Sequence, residues 1–189
     1  WHEALPLGNG RLGAMVFGGV ETERLQLNEE TVWSGTEREW NNQQAKTLLP
    51  ELRRLLAEGR YHEADEFSKG MQGSWNESYQ PMGNLHLHFA GASGFTDYVR
   101  ELDLETGIAS VRYMADGVTY TREAFVSYPD QLLVLRLTSN QPGTLTFSAK
   151  LDSQLRFTTE PAGKNGFRLI GQCPAHVEPS YVKHPEPIV

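Results

Sequence analysis

From Asn84 onward the chain alternates apolar and polar residues with a period of two, and this feature limits its fold more than any other. Leu85, Leu87 and Phe89 fall on one side of such a ladder, with His86 and His88 on the other. Val111 and Tyr113 alternate with Ser110 and Arg112, and Val118 and Tyr120 with Thr119 and Thr121. Leu133, Leu135 and Leu137 form a further stripe, as do Leu145, Phe147, Ala149 and Leu151. Successive side chains of a strand point to opposite faces, so this pattern predicts half-buried antiparallel strands. Asp116-Gly117 is a hairpin signal, and Tyr128-Pro129-Asp130 and Gln141-Pro142-Gly143 mark further turns. Five or more such strands in succession argue for a β-sandwich rather than an α/β sheet.

The N-terminal third reads differently. Residues 11–19 and 24–33 have the content of short strands joined by a polar turn at Val20–Glu23. Gly8, Gly10 and Gly13 spell G-x-G-x-x-G, a string that serves dinucleotides only where a strand turns into a helix. Here Ala14-Met15-Val16-Phe17 and a Gly pair follow, so the motif reads as a turn feeding a strand. Between Gln43 and Ser68 the spacing becomes helical, with Leu48, Leu49, Leu52, Leu55 and Leu56 on one side. Pro50 is expected near a helix start and Gly59 near its stop. Tyr61, Ala64, Glu66 and Phe67 suggest a second short helix before Gly70. The expected architecture is therefore mainly β, with a short helical hairpin inserted at about 43–69. Met71–Met82 reads as a polar, aromatic loop of the kind that carries function, and it contains the sequon-like triplet Asn76-Glu77-Ser78.

Composition excludes several functions. The 189 residues carry a net charge of −7, which repels phosphate backbones and argues against a nucleic-acid partner. No apolar run approaches the roughly 18 residues of a spanning helix, so a membrane partner is not expected. The lone Cys173 cannot form a disulfide within the chain and leaves the compartment open, with a secreted or periplasmic setting favoured. The chain opens at Trp1 without Met, and its tail carries Pro174, Pro179, Pro185 and Pro187 before a final Pro-Ile-Val. These ends lead us to expect one domain over residues 1–189, truncated at its C-terminal end.

Candidate chemistry is sparse. His86 and His88 share a strand face and would need a third ligand to hold zinc; no H-E-x-x-H or C-x-x-C accompanies them. We expect a solvated strand surface and no metal or other cofactor. Cys173-Pro174-Ala175-His176 puts a thiol and an imidazole too close along a Pro-bearing loop for a nucleophile–base pair. Glu101, Asp103 and Glu105 alternate with Leu102 and Leu104 and are expected on the wet face of a strand. Asn28, Glu29 and Trp33 differ, because they sit in a segment dense with groups that bond hydroxyls. Trp33 has two readings, a sugar-facing ring or a plug between strands and helices.

Several of these stretches together resemble a known family. They are E-A-L-P-x-G-N-G-R-L-G-A-M-V-F-G-G (Glu3 to Gly19), Q-L-N-E-x-T-x-W-S-G (Gln26 to Gly35), L-L-A-E-G-R-Y-H-E-A (Leu55 to Ala64) and Y-Q-P-M-G-N-L (Tyr79 to Leu85). R-E-L-D-L-E-T-G (Arg100 to Gly107), Y-T-R-E-A-F-V-S-Y-P-D (Tyr120 to Asp130) and G-Q-C-P-A-H-V-E-P-S-Y (Gly171 to Tyr181) follow in order. The combination is similar to the N-terminal domain of glycoside hydrolase family 95, the α-L-fucosidases, although Asn84 stands where that family more often has Asp. The resemblance implies an antiparallel β super-sandwich preceding a helical linker and an (α/α)6 barrel. In that family the barrel carries a Glu general acid and an Asp, helped by Asn residues, that activates water. The anomeric carbon is inverted without a metal. None of those barrel motifs occurs here, so no catalytic residue is assigned. The implied role is a scaffold for the catalytic barrel of a bacterial-type enzyme acting on glycans with terminal α-L-fucosyl or related L-galactosyl groups. Asn28, Glu29, Trp33, Trp75, Tyr79 and Gln80 are the expected substrate or inter-domain contacts. The alternative is a self-standing carbohydrate-binding module with Trp33, Trp75 and Tyr79 as its stacking platform.

Overall fold

The computed structural model describes residues 2–90 and 94–181. Trp1 and the tail prolines Pro185 and Pro187 lie outside the described residues. The chain forms two compact units, Trp1–Trp33 with Tyr79–Cys173, and Ser34–Ser78 with Pro174–Val189.

The first unit is built of antiparallel strands. They are β1 (Leu5–Gly8), β2 (Leu12–Val16), β3 (Thr22–Glu29), β4 (Gly83–Phe89), β5 (Thr96–Asp103) and β6 (Ile108–Ala115). β7 (Val118–Ser127), β8 (Leu132–Ser139), β9 (Phe147–Asp152), β10 (Arg156–Pro161) and β11 (Phe167–Gln172) complete it. One sheet has the order β1-β2-β3-β4-β9, a second β5-β6-β7-β8, and β10-β11 forms a separate hairpin. The alternation read from the sequence matches burial in β4 and β6, whereas in β9 Phe147 and Ala149 are exposed along with their neighbours. Ala109, Val111, Tyr113 and Ala115 of β6 are buried, as are Leu87 and Phe89 of β4. The inner faces of the two large sheets meet. Val16 and Leu25 pack with Ala109 and Ala124, and Leu87 and Phe89 pack with Val111, Tyr113 and Ala115. This is sandwich packing, in which interdigitated side chains of two sheets make the core.

Each hairpin turn has its own chemistry. At Asp116-Gly117, φ is 50° and 75° in succession, the left-handed pair that a two-residue type I′ turn requires. At the β2–β3 turn, Gly18 has φ of 76° and a Cβ there would run into Arg100 and Tyr98. Those two side chains donate to Phe17 O at 2.5 Å and to Gly18 O at 2.8 Å. The turn is clamped further by a buried ion pair. Arg122 Nη1 lies 3.4 Å from Glu23 Oε2, and its guanidinium also donates to Gly19 O, Val20 O and the Tyr113 hydroxyl while stacking 3.9 Å over Phe89. Burial pushes the Glu23 carboxyl up, against hydrogen bonds from Gly18 N and Arg24 N and the Arg122 charge. A polar cross-link thus joins β3 to β7 inside an otherwise apolar core.

The second unit holds α1 (Ala45–Ala57) and α2 (Tyr61–Lys69). Asn42 organises both ends of this pair. Its Oδ1 accepts from Gln44 N at 2.9 Å, and its Nδ2 donates to Gly70 O and Gln72 O, each at 2.9 Å. Leu55 and Ala64 are buried, while Leu56 is exposed.

Several expectations are corrected. Pro50 lies inside α1 rather than near its start, because the Asn42 turn begins the helix a full turn earlier. The second N-terminal strand starts at Thr22 and ends at Glu29, so Glu23 belongs to the strand and not to the turn. Leu104 and Glu105 leave β5: Asp103 Oδ1 accepts from Glu105 N and Thr106 N, turning the chain. Leu145 precedes β9 rather than belonging to it.

Candidate functional site

The segment after β3 and the strand-like return at Tyr79 and Gln80 form the candidate site of the first unit. Trp33 and Tyr79 make an isolated antiparallel bridge, and Gln80 N donates to Val32 O at 2.9 Å. This pairing brings Tyr79 across to β3, 51 residues away from Asn28 in sequence. Its hydroxyl lies against Asn28 Oδ1 and 2.6 Å from Glu29 O, so one proton serves two acceptors. Burial raises the Tyr79 phenol above its ordinary value and keeps it a neutral donor.

Glu29 is largely buried and its carboxylate is engaged on both oxygens. Oε2 accepts from Thr31 Oγ1 at 2.5 Å and Thr31 N at 2.8 Å, and Oε1 from Arg11 Nε at 2.9 Å. These bonds, led by the Thr31 hydroxyl, hold its pKa down at about 2. Such a group is a fixed anion and not a proton donor at neutral pH. Gln80 is buried. Trp33 is 50% exposed, and its Nε1 donates to Glu30 O at 3.0 Å. The Trp33 and Tyr79 rings meet edge to face, with centroids 5.4 Å apart at 82°. Of the six expected contact residues, five therefore belong to this unit.

The sixth, Trp75, belongs to the second unit. Its ring meets Tyr181 edge to face at 5.5 Å, and its carbonyl accepts from Arg38 Nη2. Arg38 stacks 4.0 Å over Trp40 and pairs with Glu77 at 3.1 Å. Burial raises the Glu77 carboxyl, but Val177 N, His176 and the Ser34 hydroxyl outweigh it and leave the pKa below its ordinary value. Arg11, Arg38, Glu77 and Tyr181 escape a reading of the sequence, since their roles depend on distant partners. Thr31 carries the one local signal, sitting two residues after the carboxylate it binds.

His86 Nε2 lies 3.0 Å from Asp152, and His88 Nδ1 lies 3.2 Å from the Thr22 hydroxyl. Among the described residues no group of three or more His, Cys, Asp and Glu side chains is placed to hold a metal ion. Cys173 is a half-buried free thiol of the first unit, and His176 of the second is engaged with Glu77.

A mainly antiparallel β domain with this turn-and-return site has clear relatives. Residues 1–187 match the family model described as glycosyl hydrolase family 65, N-terminal domain, and the chain belongs to that family. The chain is 40% identical over 177 residues to Alpha-L-fucosidase 2 of Arabidopsis thaliana, covering 92% of the chain and 21% of that protein. It is 33% identical over 149 residues to Probable alpha-fucosidase A of Aspergillus oryzae, covering 73% of the chain and 20% of that protein. The protein of the same name from Aspergillus niger is 33% identical over 184 residues, covering 89% and 22%. The chain thus spans about a fifth of the length of these relatives. The family number of the model, 65, differs from the 95 of the resemblance, while the fucosidase relationship is the same. These relatives are plant and fungal, where the resemblance implied a bacterial-type enzyme.

Proposed function

We propose that this chain is the supporting, non-catalytic domain of an α-L-fucosidase-type glycoside hydrolase and braces a catalytic barrel carried elsewhere in the polypeptide. The carrying observation is the state of its carboxyl groups. A glycosidase of this type needs a carboxylic acid held protonated beside a second carboxylate about 6.5–9.5 Å away, both open to the sugar. Among the described residues the carboxyl pushed upward is Glu23, which is 1% exposed and sealed against Arg122 inside the sandwich. Glu29 and Glu77 are pulled the other way by fixed donors. Site chemistry of this kind supports shape and not bond cleavage. The half-exposed Trp33 and Tyr79 then serve as the surface turned toward the barrel and its glycan substrate. Trp33→Ala in the intact enzyme tests this reading: activity or melting temperature falls, and wild-type values of both would contradict it.

A carbohydrate-binding module is the second reading, favoured by the exposure of Trp33, Tyr79 and Trp75. Titration of the chain with fucosylated oligosaccharides separates the two. Saturable binding lost on Trp33→Ala supports the module, and its absence supports the scaffold.

A further inference from the structure

Strand β5 does not pair evenly with β6. Thr96 stands opposite Met114 and Val99 opposite Arg112, so Asp97 and Tyr98 together face the single residue Tyr113. This is a β-bulge, a device that re-aims a side chain. Asp97 has φ of 51°, a left-handed conformation that a residue other than glycine adopts at some cost in strain. Beside the bulge lies a cleft of about 320 Å³, lined by Asp97, Arg112, Tyr113, Met114 and Thr119. That volume is at the lower end of ligand pockets, which run from about 300 to 1,000 Å³.

The lining has a definite chemical character. Tyr113 is spent in the core, where its hydroxyl accepts from Arg122, so Asp97, Arg112, Met114 and Thr119 supply the recognition. Asp97 and Arg112 are both exposed and share the cleft, yet they form no ion pair with each other. The Asp97 carboxylate contacts the Thr96 hydroxyl at 3.4 Å. A carboxylate accepts two O–H bonds, and a guanidinium donates in a planar fork. Lining one cleft, they offer acceptors and donors to one neutral molecule rich in hydroxyls. Thr119 and the Met114 thioether add a hydroxyl and a small apolar contact for C–H groups.

We infer that the cleft at the β5 bulge is a binding site for a neutral pyranose sugar, held by Asp97, Arg112, Thr119 and Met114. The choice of a sugar rests on the glycoside hydrolase reading, whereas the cleft itself does not. The site is separate from the Trp33–Tyr79 surface and takes no part in bond cleavage. Its use is to hold a neighbouring unit of the glycan at the domain surface.

The four methionines of the chain give a direct readout. With 13C-methyl-methionine labelling, the full polypeptide carrying this chain is titrated with L-fucose, and separately with glycine as a zwitterion of matching charge pattern. The Met114 methyl is expected to shift saturably with L-fucose, with a dissociation constant on the order of 1 mM. The shift weakens about tenfold or more in Arg112→Gln and in Asp97→Gly. Glycine suits the left-handed backbone at 97, so Asp97→Gly keeps its melting temperature and separates lost binding from lost fold. No saturable Met114 shift, a shift that survives both substitutions, or an equal response to glycine would overturn the site. Aryl α-L-fucoside hydrolysis, measured on the same samples, stays unchanged by both substitutions. Hydrolysis with an unmoved Met114 would sink this site alone, and a saturating Met114 without hydrolysis would sink the fucosidase reading alone.

Discussion

At the scale of single residues, the buried charged groups Glu23, Glu29 and Arg122 are spent on holding shape. Arg122 and Glu23 are both nearly inaccessible, and Arg122 also reaches two carbonyls and a phenol. Removing one partner leaves a buried uncompensated charge, so Arg122→Met should cost about 3–5 kcal/mol in urea unfolding. Adding Glu23→Gln should recover part of that loss; a double variant worse than the single one would contradict the pairing. Glu29 gives a pH signature. Its folded pKa of about 2 lies below the roughly 4.3 of an unfolded glutamate. Its stabilising contribution is therefore complete above about pH 4.3 and is lost as pH falls toward 2. Glu29→Gln should lower stability at pH 7, and the gap to the parent protein should close on acidification; a gap that widens below pH 4 would refute the assignment. The polar setting of Glu29 marks it in the sequence as an expected substrate or inter-domain contact, whereas the donors that hold its carboxylate are not legible there. Arg11 lies in the turn just before β2, and no local spacing announces it.

At the scale of elements, legibility followed the range of the interactions. The β6–β7 hairpin was readable because Asp116-Gly117 encodes its own turn and the flanking residues alternate. Gly117→Ala should cost about 1–2 kcal/mol in thermal or chemical unfolding, since φ of 75° is poor for a residue with a Cβ. Pro50 misleads because its usual place is the first turn, whereas Asn42 reaches across to Gly70 and Gln72 and starts α1 earlier. A proline inside a helix loses one hydrogen bond and crowds the carbonyl four residues back. Pro50→Ala should therefore raise stability by about 1–3 kcal/mol, and a decrease would show that the ring itself packs. Strands β1, β10 and β11 were invisible to a search for alternation. β1 is four residues long, and β10–β11 is a separate two-stranded hairpin whose residues are mostly exposed or half-buried.

At the scale of the whole molecule, the proposed supporting role fits the described carboxyl groups, of which Glu23 is sealed in the core and Glu29 and Glu77 are held as anions. The chain corresponds to about a fifth of each relative named as a fucosidase. The proposed division of labour leaves recognition and bracing to this domain, with hydrolysis performed by other residues of the same polypeptide. Assay of an aryl α-L-fucoside with residues 1–189 alone, beside the full polypeptide that carries them, tests this most directly. The account predicts turnover by the longer protein and none by the isolated domain; hydrolysis by residues 1–189 themselves would contradict it.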